Sequence, residues 1–408
     1  MTRRLAPLVL IAAALAGTPA TAGSYHLSTI AIFNGENGDD PFGKIALDGR
    51  GNLFGLTFAG GAFGVGGAFR VDTGSGKLTL LSSFDGSNGA FPFGGVSIGP
   101  DGNLYGTTLD AGPGGFGTLF RIDPSTGVVS TLVAFDGSNG ALPLGGVAFD
   151  AIGNVYGTTT IGGNSDLGTL FRYNPATGEL TTLASFDGPN GGNADGGIAV
   201  DALGNVYGMT QVGGDSDLGA VYVYDAAADT LATLASFDGS EGSNPFLGNV
   251  VLDGLGNLYG NTNFGGVDDQ GTVFRIDLAT GAFTTLVSFD EDSGSFPYGE
   301  LVLDGRGSLF GTTPTGGPGG SGTVFRIDLE TGSLETIAAF DGTNGGSPYG
   351  LAIDSDGTLY GTTEAYPGGR GSVFRLTAVP EPSTIVSLAI GLGGFAGAAL
   401  RSRRAPSR

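Results

Sequence analysis

The 408-residue chain contains no cysteine, no tryptophan, one histidine and two methionines. Without cysteine there is no disulfide, no thiolate nucleophile and no cysteine-ligated zinc or iron–sulfur centre. The single histidine, His26, removes most histidine-based metal sites and leaves one residue for any Ser-His-Asp arrangement. Positive charge is also scarce, with 17 Lys and Arg against 39 Asp and Glu and a net charge of −22. Six of the bases (Arg3, Arg4, Arg401, Arg403, Arg404 and Arg408) sit at the two ends, so the body between them is more acidic still. A surface of that sign excludes nonspecific nucleic-acid binding, which needs a basic face. Charged residues make up only 14% of the chain, yet 40% is hydrophobic, with 27 Phe and 12 Tyr, which argues against simple disorder. Glycine is plentiful at 81 residues, but it lacks the unbroken three-residue period of collagen.

The ends read as addresses. Residues 1–22 have the form of a secretory signal. Arg3 and Arg4 precede an apolar stretch over 5–17, and Ala20-Thr21-Ala22 is a small-x-small cleavage site, with the cut expected after Ala22. At the other end Val379, Pro380, Glu381, Pro382, Ser383 and Thr384 form a proline-punctuated segment that continues neither strand nor helix. An uncharged run rich in Gly and Ala covers 385–400, and Arg401, Arg403, Arg404 and Arg408 follow in the basic tail over 401–408. As a transmembrane helix that run is about 24 Å long, slightly short of a hydrocarbon core of about 30 Å. The arginines would stay on the cytoplasmic side, so the body faces outward.

This tripartite tail, over 378–408, resembles the PEP-CTERM sorting signal of Gram-negative bacteria that make extracellular polysaccharide. The resemblance implies recognition by an exosortase-type processing enzyme. It also implies transient anchoring in the inner membrane through the C-terminal helix, then delivery to the cell surface or extracellular matrix.

Between the ends lies a repeat. Phe-Asp-Gly recurs at Phe84, Phe135, Phe186, Phe237 and Phe340, with the variants Phe33-Asn34-Gly35 and Phe289-Asp290-Glu291, at spacings of 51 or 52 residues. A second motif, Asn103-Leu104-Tyr105-Gly106-Thr107-Thr108 in one copy, puts an aromatic at Phe54, Tyr105, Tyr156, Tyr207, Tyr259, Phe310 and Tyr360. A third, of the form Gly-Thr-Val-Phe-Arg-Ile-Asp, gives Phe69, Phe120, Phe171, Tyr222, Phe274, Phe325 and Phe374. A period near 50 with β composition points to propeller blades.

One unit reads as four antiparallel strands: a over 95–98, b over 103–109, c over 118–123 and d over 128–135, with turn residues between them. The seventh unit ends after strand c, whereas 26–33 is an unpaired strand d ahead of the first unit. Pairing the two closes the ring and removes the open edge. The expectation over 26–377 is therefore an all-β, seven-bladed β-propeller of four-stranded blades, closed by its N-terminal strand. The repeats also resemble the GloVer tandem repeat of exported bacterial proteins, carried by Asn103–Thr108, Gly117–Phe120 and their counterparts. The fourth unit departs most, with Met209 in place of Thr and Val223 in place of Arg. That resemblance implies surface location and no defined reaction.

Three aromatics at fixed points of each unit follow scaffold symmetry and are expected to be core between blades. Arg70, Arg121, Arg172, Arg275, Arg326 and Arg375 follow the strand-c aromatic and are expected to pair with acids at the end of strand a, such as Asp48, Asp150, Asp201, Asp253, Asp304 and Asp354. Asp85, Asp136, Asp187, Asp238, Asp290 and Asp341 fall on d-to-a loops, and Asp166, Asp215, Asp217, Asp268 and Asp269 on b-to-c loops, all on one rim. That rim leaves room for weak Ca²⁺ binding, but one carboxylate per loop fits a self-stabilised turn better, so no cofactor or metal ligand is assigned. Acids that break the repeat are Glu241, Glu291, Asp292, Glu300 and Glu364, and each is expected to be loop variation. No catalytic constellation stands out. The functional expectation is a non-catalytic scaffold or binding module at the cell surface, meeting extracellular polysaccharide or surface proteins and no nucleic acid. The alternative is a carbohydrate-active hydrolase or lyase using acids at the mouth of the ring.

Overall fold

Short β-rich stretches broken by Gly, Asp and Asn turns give, in the computed structural model, 28 strands among the described residues, β1 to β28 in chain order. Residues 24–379 are described. The expected signal peptide with Ala20 and Ala22, the sorting residues from Pro380 onward and the expected helix over 385–400 lie outside the described residues. Within those described, no helix is long and apolar enough to cross a membrane.

The strands form seven four-stranded antiparallel sheets. In the second blade they are β6 (Ser97–Ile98), β7 (Leu104–Thr108), β8 (Thr118–Ile122) and β9 (Val129–Ala134), running from the axis outward. In the seventh, β26 (Gly346–Ile353), β27 (Leu359–Ala365) and β28 (Ser372–Ala378) are completed by β1 (Tyr25–Ile32), which pairs antiparallel with β28. The first strand among the described residues is thus the outer strand of the last blade, as expected.

The innermost strand of most blades is shorter than its sequence suggests. Its leading glycines turn to the neighbouring blade instead of their own sheet: Gly95 bridges Lys44, and the Gly197 amide donates to the Gly248 carbonyl at 3.1 Å. Seven glycines (Gly43, Gly94, Gly145, Gly196, Gly248, Gly299 and Gly350) meet here in a ring. A Cβ on any of them would come closer than 3.0 Å to backbone or to a neighbouring side chain.

The three aromatic columns are core. Each Phe of the Phe-Asp-Gly series meets the strand-c aromatic of the next blade, from Phe33–Phe69 and Phe84–Phe120 round to Phe340–Phe374, with ring centroids 5.0–5.5 Å apart in all seven pairs. The contact across the closure is therefore the same as at every other blade boundary. The glycine of strand b makes room for these rings, since Gly157 lies opposite Phe171, and a Cβ there would sit within 3.0 Å of that ring. The threonine two residues on explains the rest of the motif. Thr108, Thr159, Thr262 and Thr313 each share a hydrogen bond of 2.8–2.9 Å with the first Thr of strand c.

One feature of the outer strands escapes the sequence reading. Their pairing slips by one residue in every blade, leaving an aliphatic side chain such as Leu132 or Leu234 at a bulge. That residue packs into the hydrophobic cluster between blades, which raises twist and fits the wedge shape of a ring.

Candidate functional site

The expected acidic rim exists, because d-to-a and b-to-c loops are bridged to one another, as in Ala90–Asp110 and Gly192–Val212. Its carboxylates are used locally. Asp85 Oδ1 accepts from the Ser87 hydroxyl at 2.7 Å and from the Ser87 and Asn88 amides at 2.9 and 3.1 Å. The same pattern, led by the serine or threonine hydroxyl, holds the carboxyls of Asp85, Asp136, Asp238, Asp290 and Asp341 below their ordinary value. Asp166, Asp217 and Asp269 accept from the amides of Gly162, Gly213 and Gly265 in their own loops at 2.7–2.9 Å. Among the described residues no three acidic side chains are placed to hold a metal ion.

The arginine column is corrected. Asp48, Asp150, Asp201 and Asp253 take the side-chain amide of the asparagine four residues on, at 2.7–2.9 Å. Asp150, Asp201 and Asp253 also take the strand-b tyrosine hydroxyl at 3.1–3.4 Å. The hairpin delivers both donors to the acid, leaving each arginine beside the strand-b aromatic and the polar strand d. Arg326 instead lies 3.7 Å from Asp328 and 3.6 Å from Glu335.

The departures from symmetry gather at the axis. The residue preceding each axial glycine is Phe42, Phe93, Leu144, Asp195, Leu247, Tyr298 or Tyr349 in the seven blades. Asp195 is thus the one acid in an apolar and aromatic column, and it is only 2% exposed. Its Oδ1 has no hydrogen-bond partner. Burial pushes its carboxyl up to about 8, with only its own backbone amide opposing.

Asp195 lines an axial cavity of about 40 Å³ together with Lys44, Phe93, Tyr298, Glu300 and Tyr349. By this measure a water occupies about 10–15 Å³, so the cavity holds a few water-sized groups. Below it, Lys44 and Glu300 also border a channel of about 710 Å³ walled by the inner strands of all seven blades. Glu300 is half-buried between the cavity and the channel. Burial raises its carboxyl, and Lys44 opposes that rise. The Asn249 side-chain amide donates to Glu300 Oε2 at 2.6 Å. Tyr298 and Tyr349 share a hydroxyl hydrogen bond of 2.9 Å, and Tyr349 donates to Glu364 Oε2 at 3.1 Å. Burial, then Tyr298 and Glu364, push the Tyr349 hydroxyl up.

Around this cavity runs an aromatic crescent outside the three core columns. Phe91, Phe58, Phe93, Phe42, Tyr349 and Tyr298 are half-buried and in ring contact one to the next at 4.8–5.7 Å. Beyond Tyr298, Phe246, Phe264 and Phe296 line a further open groove of about 440 Å³. The six rings belong to four blades and the groove adds a fifth, leaving the third and fourth, where Leu144, Thr160, Asp195 and Gln211 stand in equivalent places.

Of the acids that break the repeat, Glu300 and Glu364 therefore belong to the mouth. Glu241 stays on its loop, where its carbonyl accepts from Thr272 at 2.9 Å. Glu291 and Asp292 border a separate open cleft with Asp268, Gln270 and Asp290. Sequence reasoning missed Asp195, Lys44 and the crescent. Aligning the units on the axial glycine reveals all three, because they lie outside the motifs that define the repeat.

The chain matches the Gloeobacter/Verrucomicrobia repeat over residues 18–202 and 148–377, and the PEP-CTERM protein-sorting motif over 378–404. No curated protein matches it. Among solved structures it is similar to the extracellular domain of a hybrid two-component system from B. thetaiotaomicron, with 14% identity, TM-score 0.58, and coverage of 86% of this chain and 39% of that one. The chain thus spans about two-fifths of that relative's length. It is also similar to an oligogalacturonate lyase in complex with manganese, with 13% identity, TM-score 0.54, and coverage of 88% and 97%. A third likeness is to a structure described as a 6-phosphogluconolactonase from Bacteroides uniformis, with 15% identity, TM-score 0.52, and coverage of 76% and 89%. At these identities the likeness is one of fold.

Proposed function

The chain belongs to the Gloeobacter/Verrucomicrobia repeat family and ends in a PEP-CTERM sorting motif, and from that premise we propose that it is a non-catalytic, surface-delivered module that binds extracellular polysaccharide at its axial mouth. The sorting motif implies processing by exosortase and export to the cell surface. Transient anchoring in the inner membrane of a Gram-negative cell through 385–400 is part of the same proposal.

The observation that carries the binding reading is the aromatic crescent. Six linked rings lie half-buried at the mouth, in addition to the three core columns that already pack blade on blade. Flat, rigid rings beside hydrogen-bonding groups suit the apolar faces and hydroxyls of sugar rings. The test is affinity electrophoresis of the purified protein through gels with and without the producer's own extracellular polysaccharide. Retardation that free polysaccharide abolishes is expected, and unchanged mobility would overturn the reading.

A second reading has one specific observation behind it. Asp195 and Glu300, both raised by burial, line the same cavity, and raised carboxyls suit general acids. Chain shortening during incubation with that polysaccharide, lost in Asp195→Asn or Glu300→Gln, would establish an enzyme. Undiminished chain length is expected.

A further inference from the structure

We propose that the axial cavity is the seat for a primary ammonium group carried on the sugar polymer that the crescent binds, so the ligand class is an amine-bearing, de-N-acetylated polysaccharide. This rests on the polysaccharide reading above and narrows it.

Four observations converge on a cation of that size. First, the cavity is narrow, about 40 Å³, large enough for a few water-sized groups but not for a sugar ring. The ring must therefore stay on the crescent while a small substituent enters. Second, Asp195 borders the cavity with a carboxylate oxygen buried and unpartnered. A buried carboxyl oxygen with no donor is costly unless a cation or donor arrives. Third, Phe93, Tyr298 and Tyr349 line the same space, and aromatic rings attract ammonium groups. Fourth, the net charge of −22 draws cationic polymer toward the protein.

A divalent metal fits less well. Calcium asks for six or more oxygen ligands, and no three acids converge among the described residues. An N-acetyl group brings neither charge nor compactness, so acetylation should exclude the substituent from the cavity.

The proton balance follows from the groups present. Lys44 and Glu300 face the cavity from the first and sixth blades, Tyr298 and Tyr349 from the sixth and seventh, and Glu364 lies behind Tyr349. None of these shifts Asp195, which burial alone keeps protonated near neutrality. When R–NH₃⁺ enters, Asp195 gives up its carboxyl proton to solvent and pairs as a carboxylate, so each ammonium seated releases one proton.

The experiment is calorimetry of the purified protein at pH 6 in buffers of different ionisation enthalpy. A short β-linked glucosamine oligomer is compared with its fully N-acetylated counterpart. The expected result is at least about tenfold tighter binding of the amine form, with close to one proton released per site. Asp195→Asn and Asp195→Ala, each checked for folding by thermal melt, should lose both the preference and the proton release while still binding the acetylated oligomer. Equal affinity for the two oligomers, or a preference that survives in both variants, would overturn the ammonium seat and leave the polysaccharide reading standing. Failure of either oligomer and of the native polysaccharide to bind would overturn both. Tighter binding of oligolysine than of the glucosamine oligomer would overturn the sugar-borne assignment, and stoichiometric displacement by Ca²⁺ would mark a metal site instead.

Discussion

Asp195 offers a prediction that depends only on the fold. Its carboxyl ordinarily titrates at 3.8 and is pushed to about 8 by burial in the folded chain. Below pH 4 both states hold the proton, and the group does not affect stability. Between about pH 4 and 8 the unfolded chain has lost the proton and the folded chain keeps it. The unfolded state then binds fewer protons, so stability falls as pH rises through this window. Each pH unit is worth about 1.4 kcal/mol, and some four units give a loss of about 5 kcal/mol by pH 8. Asp195→Asn keeps the shape and removes the titration. The difference in stability between variant and wild type should therefore be small at pH 4 and grow to several kcal/mol in favour of the variant at pH 8. Urea unfolding at half-unit pH steps measures it. Rim carboxylates that titrate at acid pH are common to both proteins and cancel in the difference. A difference that stays flat from pH 4 to 8, or that reverses sign, would refute the reasoning.

Other substitutions probe the ring. Gly157→Ala places a methyl against the Phe171 ring and should cost about 1–3 kcal/mol in urea unfolding. Tyr222→Phe removes a fully buried hydroxyl without a partner and should raise stability by about 1 kcal/mol, read as a higher melting temperature. Phe33→Ala should cost about 3–5 kcal/mol, as much as Phe135→Ala, because Phe33 closes the ring through the same contact; a cost near zero would contradict closure by β1. Replacing Pro380, Glu381 and Pro382 by alanine should abolish C-terminal processing and surface delivery, followed by immunoblot of cell and medium fractions.

The fold was legible because seven copies repeat one solution. The Phe-Asp-Gly phenylalanine, the strand-b glycine and the strand-c aromatic are three parts of one contact, so each motif implied the others. The unpaired strand before the first unit and the missing strand after the last made closure readable. The arginine pairing was misread because periodicity shows that two residues recur together, not that they touch. Asp48, Asp150, Asp201 and Asp253 are filled by an asparagine only four residues away. The site was harder to see for the opposite reason. Asp195, Lys44 and Glu300 each occur once, and a singular residue in a repeat looks like drift until the axis brings the singular positions together. Phe42, Phe58, Phe91 and Phe93 were equally hidden, as four phenylalanines among 27, distinguishable from core only by their place at the mouth.

The central claim is that the crescent at the axis is the binding face. The most direct measurement is the dissociation constant of the purified protein for the producer's extracellular polysaccharide, with the double substitution Phe42→Ala and Phe93→Ala set against Phe63→Ala. Phe63 is an exposed rim aromatic outside the crescent. The account predicts that the double substitution weakens binding by about 1–3 kcal/mol or more, on the scale of aromatic anchors, while Phe63→Ala leaves it unchanged. Equal binding by all three proteins, each shown to be folded, would contradict it.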